Sequence, residues 1–370
     1  MRRMTCRACG CLDGDLVLDL GRQPACDYFP ARDAPLPDPV YPLQMWLCSR
    51  CGLAQLVEDP TVPEEPRGME PAALTEQAKD AVRRIASAGW LRPGARVSEY
   101  GSPHGGTWLP LLTERGMVAA EAAERAEVVL DCFGLMHCPD QVAGLSERAR
   151  RVARGGVLLL QYHSLATIVR LGQWNSLRHG HYAYYSTIAL TGMLANAKYR
   201  ALSAWQFDLY GGTVLLAAMR EADTTRPVGK TVHEIVTEEK ELHLRDTESV
   251  RSLLQRSVES SARALHDWLR KERDAGRTIV GYGAASRAVT LLRRAGVDGG
   301  LLPAVADASP AKQGRRMPGT DIPVISPQRM IAAYPDAVLL FVPDLREEVS
   351  AQFPAIEASG GKWVTLDDLA

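Results

Sequence analysis

Apolar and polar positions change period several times along the chain, and each change predicts an element. Leu74, Ala78, Val82, Ile85 and Trp90 recur at helical spacing, which predicts a helix over residues 71–91. Ala95-Arg-Val-Ser-Glu-Tyr-Gly101 reads as a strand, and Gly101-Ser-Pro-His-Gly105-Gly106 as a glycine-rich turn leading into a helix. Glu127–Cys132 and Gly156–Gln161 are short apolar runs of buried-strand type, with a helix over 140–153 between them. Val250, Leu253, Leu254, Val258, Ala262, Leu265, Trp268 and Leu269 keep helical spacing and predict a long amphipathic helix packing two larger domains together. Thr278–Gly283, Leu302–Asp307 and Ala337–Val342 are further buried strands. Strands alternating with helices predict an α/β body with parallel sheets.

Composition narrows the partners. The 370 residues are 46% hydrophobic and 24% charged, with a formal net charge of -1. No Lys/Arg run supplies a phosphate-backbone footprint, so nucleic acid is not an expected partner. No apolar stretch reaches membrane-spanning length, and Met1–Cys6 lacks the apolar core of a signal peptide. The expected setting is the cytoplasm, with a small molecule as substrate. Nothing in the chain speaks to oligomeric state.

Six of the eight cysteines lie in the first 51 residues. Cys6-Arg-Ala-Cys9-Gly10 and Cys48-Ser-Arg-Cys51-Gly52 are matched turns. Two residues between thiolates let one tight turn present both sulfurs to a tetrahedral ion, and the following glycine lets the backbone fold round it. Paired copies predict one structural zinc on Cys6, Cys9, Cys48 and Cys51; a redox pair or buried thiols are the alternatives. Cys11 and Cys26 fall outside the pattern. A proline-rich acidic stretch, residues 58–68, reads as a linker.

The string from Gln173 to Ser186, which includes Arg178-His179-Gly180-His181-Tyr182-Ala-Tyr184-Tyr185, resembles the signature of the sugar C-methyltransferases that act on nucleotide-linked 4-keto sugars. The paired cysteine turns with Leu18-Asp-Leu-Gly21-Arg-Gln-Pro24 look like that family's N-terminal module. Gly281-Tyr-Gly283-Ala-Ala-Ser286-Arg287, with Ala306-Asp307, Lys312-Gln-Gly314 and Pro318-Gly319, looks like its C-terminal domain. The resemblance covers nearly the whole chain. It implies an α/β fold with a zinc-knuckle module over 1–68 and a truncated methyltransferase-like Rossmann domain over 69–222. Connecting helices over 223–276 and a second Rossmann-like domain over 277–370 follow.

One part departs from the family. S-adenosylmethionine there lies across the ends of the first four strands, with an acidic residue after the second gripping the ribose. From Gly101 to Asp131 the chain has room for one strand–helix–strand crossover, where three are normal. The first and fourth strands can still pair directly, but the half-sheet carrying strands two and three is lost. Met117–Glu121 reads as a stub of the second strand, with Glu121 as ribose grip, or else Ala119–Glu127 is a connector rich in alanine and glutamate; the connector is expected. Gly101 and Gly105 remain as the cofactor turn, and S-adenosylmethionine is expected to bind weakly or not at all.

The chemical half is retained. On an extended strand, His179 and His181 would face one side, with Tyr182, Tyr184 and Tyr185 beside them. Histidine is poised near neutral pH to take a proton from carbon beside a carbonyl, while a tyrosine steadies the enolate oxygen. The resemblance implies this role for His179, His181 and Tyr184. Gly180 stands where many members carry glutamate. Tyr182, Tyr185 and His163 are candidate substrate contacts, as are Ser286 and Arg287 at a helix N-terminus suited to an anion. Three functions compete. The expected one is a methyl-donor-independent acid–base enzyme, a cyclase or isomerase of natural-product or antibiotic biosynthesis. The others are an active C-methyltransferase on a keto-deoxysugar and a non-catalytic binding protein.

Overall fold

Alternating apolar residues in the first module build two long antiparallel strands, β1 (Gly14–Pro24) and β2 (Val40–Cys48), followed by β3 (Ala54–Leu56). Breaks in pairing between Leu16 and Leu18, and between Asp19 and Arg22, bend β1 and obscure its alternation in the sequence. The computed structural model describes residues 4–61, 71–101, 106–122 and 124–369. Part of the expected linker and the turn residues 102–105, Gly105 among them, lie outside these.

The body follows the predicted alternation. After α1 (Ala72–Ser87), which buries Ala78, Val82 and Ile85, come β4 (Arg96–Tyr100), α2 (Leu109–Thr113), β5 (Val118–Ala119) and β6 (Ala126–Cys132). Next are α3 (Gln141–Arg151), β7 (Val152–His163), α4 (Leu165–Arg170) and β8 (Ala183–Tyr184). The domain ends with α5 (Thr187–Asn196), β9 (Tyr199–Phe207) and β10 (Thr213–Arg220). The middle sheet has the order β5-β4-β6-β7-β10-β9. Its first four strands run parallel, and β10 pairs antiparallel with both β7 and β9.

Two outcomes bear on the cofactor region. β4 and β6 are direct neighbours, as the shortened spacing requires. Residues 118–119 form a strand parallel to β4, so a stub of the second strand is present, and the expected connector is corrected in its bounds: it begins after Ala119 and ends before β6. Pairing with β4 places it there, although both residues are exposed and give no apolar signal. No strand of the described sheet lies beyond it.

β8 carries the chain out of the body. It pairs with β3, so the segment after the histidines completes the first module's sheet. Then α6 (Lys230–Glu241) leads to α7 (Thr247–Asp274), capped by the Asp246 side chain and burying Val250, Leu254, Val258, Leu265 and Leu269. A third sheet, all parallel, is built from β11 (Ile279–Tyr282), α8 (Ser286–Arg294), β12 (Val305–Ala306), β13 (Val324–Ile325), α9 (Pro327–Ala332), β14 (Ala337–Leu340) and β15 (Lys362–Val364). Its order is β13-β12-β11-β14-β15, a doubly wound arrangement. One hydrophobic core runs from Val17, Leu43 and Met45 of the first module through α7 to Val305 and Leu339 of the third sheet. A second joins Trp46 and Leu53 to Leu158, Tyr162 and Leu216 of the middle sheet. The first module is thus packed on both larger parts.

Candidate functional site

The four predicted zinc ligands converge. The sulfurs of Cys6, Cys9, Cys48 and Cys51 all lie within 4.8 Å of one another. Cys6 and Cys51 are 3.5 Å apart and Cys9 and Cys48 3.7 Å. Tetrahedral zinc with Zn–S bonds of about 2.3 Å sets sulfurs about 3.8 Å apart, so the set fits the ion. The glycines work as expected: Gly10 and Gly52 adopt φ of 69° and 77°, and their amides close the turns on the carbonyls of Cys6 and Cys48. With four protein sulfurs, this centre is closed and structural.

The histidine segment is not extended. Gly180 has φ of 83° and sits in a turn, so His179 and His181 acquire separate surroundings. His179 is buried: Nε2 meets the Pro42 carbonyl at 3.0 Å, the ring packs edge-on to Tyr41, and burial holds its pKa below the ordinary value. A carbonyl only accepts, so Nε2 carries the proton; Nδ1 is buried with no partner among the described residues. His181 is half-buried, and its Nε2 lies 2.8 Å from Arg178 Nε and 2.5 Å from Nη2. Its ring also meets that of His137 edge-on, with centroids 4.6 Å apart.

Arg178 draws three parts of the chain together. Its Nη1 donates to Ser286 Oγ at 2.6 Å, and Ser286 donates to Asp27 Oδ1 at 2.7 Å. Ser286 opens α8 but does not cap it; the N-cap is Ala285, and the hydroxyl turns to the first module instead. Arg287 reaches the Tyr210 carbonyl at 3.2 Å and lies 3.2 Å from His163 Nε2. Burial lowers the pKa of Arg287, and no carboxylate among the described residues lies within ion-pair distance of it. His163 is pushed down to about 3 by burial and then by Arg287, so it is neutral. Tyr210, between them, takes φ of 56°, uncommon for a bulky residue.

The tyrosines divide differently. Tyr184 is buried; its hydroxyl accepts from the Arg178 amide at 3.0 Å and donates to the Ser176 carbonyl at 3.3 Å, and burial raises its pKa. Tyr185 is also buried and donates to Gln141. Both hydroxyls are thus engaged inside the protein. Tyr182 lies under Arg7, 5.2 Å from its ring centre. Sequence reasoning assigned no role to Arg178 or Asp27. Asp27 and Ser286 are 259 positions apart, and no local pattern joins them.

At the C-terminal end of β4, Gly101 lies against Gly134, where a Cβ would stand 2.9 Å from the Gly101 carbonyl oxygen. Arg148 of α3 is buried, ion-paired with Asp131 of β6 and stacked 4.4 Å over the Tyr100 ring of β4. Glu99 caps the start of α2 through the amide of Trp108 at 2.7 Å. Arg151 binds the Glu121 carbonyl at 3.0 Å and that of Ala122, fixing the chain beyond β5.

A closed four-cysteine module, an α/β body with a mostly parallel sheet and a second, doubly wound α/β domain define the class. The family described as "C-methyltransferase C-terminal domain" matches residues 208–366, and that described as "putative zinc binding domain" matches residues 6–65. C-methyltransferase NovU of Streptomyces niveus is 23% identical over 399 residues, spanning 97% of this chain and 94% of its own. The chain thus carries a segment similar to each of these two families and is similar over nearly its whole length to a C-methyltransferase. Among solved structures, magnesium protoporphyrin IX methyltransferase of Synechocystis with bound SAH is similar, with 12% identity, TM-score 0.30, 40% of this chain and 84% of that one. N-methyltransferase NodS of Bradyrhizobium japonicum with S-adenosyl-L-homocysteine gives 12% identity, TM-score 0.30, and 41% and 89% coverage. Among the described residues, no helix is long and apolar enough to cross a membrane.

Proposed function

We propose that this protein is a methyl-donor-independent enzyme on a C-methyltransferase scaffold, moving protons on an anionic keto intermediate of natural-product metabolism. The carrying observation is the edge of the middle sheet. Among the described residues, only the two-residue β5 stands beyond β4, and β6 is the next strand in the chain. A third strand and its loop, which would enclose an adenine, have no counterpart among the described residues. The polar and aromatic groups at the ends of β6 and β4, Asp131 and Tyr100, are already engaged by Arg148. These residues do not fit S-adenosylmethionine.

The acid–base half has a coherent chemistry. Arg178 and Arg287 supply positive charge for the substrate's anionic group. Arg178 now spends donors on His181 Nε2; an anion that draws the guanidinium away frees that lone pair to take a proton from carbon beside a carbonyl. His163, neutral and beside Arg287, serves binding and not proton transfer.

A second reading, C-methyl transfer, has one observation in its favour. β5 pairs with β4 as a second strand would, and Glu121 follows it closely, where the ribose grip is expected. Calorimetry with S-adenosylmethionine separates the two. The proposal expects no binding at concentrations saturating for ordinary methyltransferases; a tight complex dependent on Glu121 returns the assignment to C-methylation.

A further inference from the structure

We infer that Arg178 is a positioning residue that fixes the tautomer of His181, and that it is anchored for this task by the first module's Asp27 through Ser286. The inference rests on reading His181 as the proton-transfer group, but its test does not depend on turnover.

Which atoms can donate decides the tautomer. A guanidinium has donors only. His181 Nε2, at 2.8 Å from Arg178 Nε, must therefore be the unprotonated nitrogen, and the ring proton sits on Nδ1. The same rule orders the rest. Arg178 Nη1 gives its hydrogen to Ser286 Oγ at 2.6 Å, which obliges the serine to direct its own hydrogen elsewhere. It goes to Asp27 Oδ1 at 2.7 Å. The sequence Arg–Ser–Asp is thus a line of hydrogen bonds in which each member polarises the next and the final acceptor is anionic. Asp27 also lies 3.8 Å from Arg178 Nη1, so its charge acts on the guanidinium directly as well. Arg178 is further braced at its own amide, which donates to Tyr184 Oη at 3.0 Å.

The anchor comes from elsewhere in the chain. Asp27 belongs to the zinc-binding module, Ser286 to the third sheet's first helix, and Arg178 with His181 to the loop between α4 and β8. The guanidinium plane is therefore set by how the three parts pack, and the tautomer of His181 reports on that packing. His137, edge-on to His181, and the Tyr184 ring, with its centroid 6.1 Å away, confine the imidazole to the plane in which it meets Arg178.

Long-range proton–nitrogen correlation spectra of full-length, zinc-loaded protein carrying ¹⁵N-histidine read this directly, with His181→Gln identifying the resonances. The wild type is expected to show His181 almost wholly as the Nδ1–H form. In Arg178→Met that form falls to a minority, because free imidazole favours Nε2–H, and Arg178→Lys restores much of it with a single donor. Asp27→Asn and Ser286→Ala give mixtures between these limits. A wild-type ring protonated on Nε2, or Nδ1–H retained in Arg178→Met, overturns the inference. Full retention in both Asp27→Asn and Ser286→Ala overturns the anchoring by the first module. A fixed tautomer together with undiminished turnover in His181→Ala leaves this inference standing and defeats the proposed function alone.

Discussion

The backbone amide of Gly180 donates to Asp59 Oδ2 at 2.6 Å, tying the turn between the two histidines to the end of the zinc-binding module. Asp59 also accepts from the Thr61 hydroxyl and amide, so its carboxylate is already fixed when the loop meets it. Hydrogen bonds to charged groups contribute about 1.5–3 kcal/mol. Asp59→Ala should loosen residues 178–182 and leave the sheets intact. Amide hydrogen exchange in that loop should quicken by at least about tenfold, as expected for a local loss of about 1.4 kcal/mol; unchanged protection there would show that the bond holds nothing.

The two histidines should fail in different ways. His181→Ala should lower turnover of the native substrate by about 10²–10⁴-fold, the usual worth of positioned acid–base help, with little change in melting temperature. His179 is buried against Tyr41 and the Pro42 carbonyl. His179→Ala should therefore cost mainly stability. Turnover at matched folded concentration, set beside thermal melts, distinguishes these; a wild-type rate in His181→Ala would sink the acid–base reading.

His163 makes folding sensitive to acid. Its pKa is about 3 in the folded protein against an ordinary 6.5, so between those values the unfolded chain binds the proton that the native state refuses. Stability therefore falls as pH drops below about 6.5 and stops falling on this account near pH 3. The slope is up to about 1.4 kcal/mol per pH unit from this one group. Denaturant titrations at several pH values, repeated with His163→Phe, should show a shallower decline in the variant.

Arg148 and Asp131 are a buried ion pair on which the cofactor end of the sheet closes. Arg148→Met strands a carboxylate whose pKa burial already raises, and should destabilise the protein by about 3–5 kcal/mol. The double variant Arg148→Met with Asp131→Leu should recover part of that loss. Urea unfolding measures both, and a double variant no better than the single would mean that Arg148 matters for its stacking on Tyr100.

Metal analysis should find one zinc per chain, and Cys48→Ser should release it. Because Cys6 and Cys48 share a core with the middle sheet, loss of metal should expose the amides of β2 and β3 first. The third sheet, centred on β11 and β14, should keep its protection. Zinc content with residue-resolved hydrogen exchange checks the order.

What could be read from the chain was what is local. Val128–Leu130 and Leu158–Leu160 announced central strands by unbroken apolar runs, and α7 announced itself by period. The zinc ligands carry their geometry in their spacing. β9, with its part-buried alternation, takes its place from pairing with β10, and α5 is too evenly apolar to show a helical face. β5 has two exposed residues and owes its existence to β4. At the site, the histidines were legible as residue types, but Gly180 and its positive φ took them out of the single face that an extended strand would give. Asp27 acquires its meaning only when the third sheet brings Ser286 to it.

The stub beside β4 also marks where the fold tolerates addition. Its residues are exposed, it ends the sheet, and the short turn to β6 lies at the surface. A parallel sheet can be extended at such an edge without rerouting any connection in the half that remains, because every later crossover starts from β6. An insertion after Ala119 that brought its own helix and strand would dock on an existing template and leave the zinc centre, α7 and the histidine loop where they are. Enlargement and loss at this edge are thus a modular trade, in which one side of the protein changes length while the other keeps its chemistry.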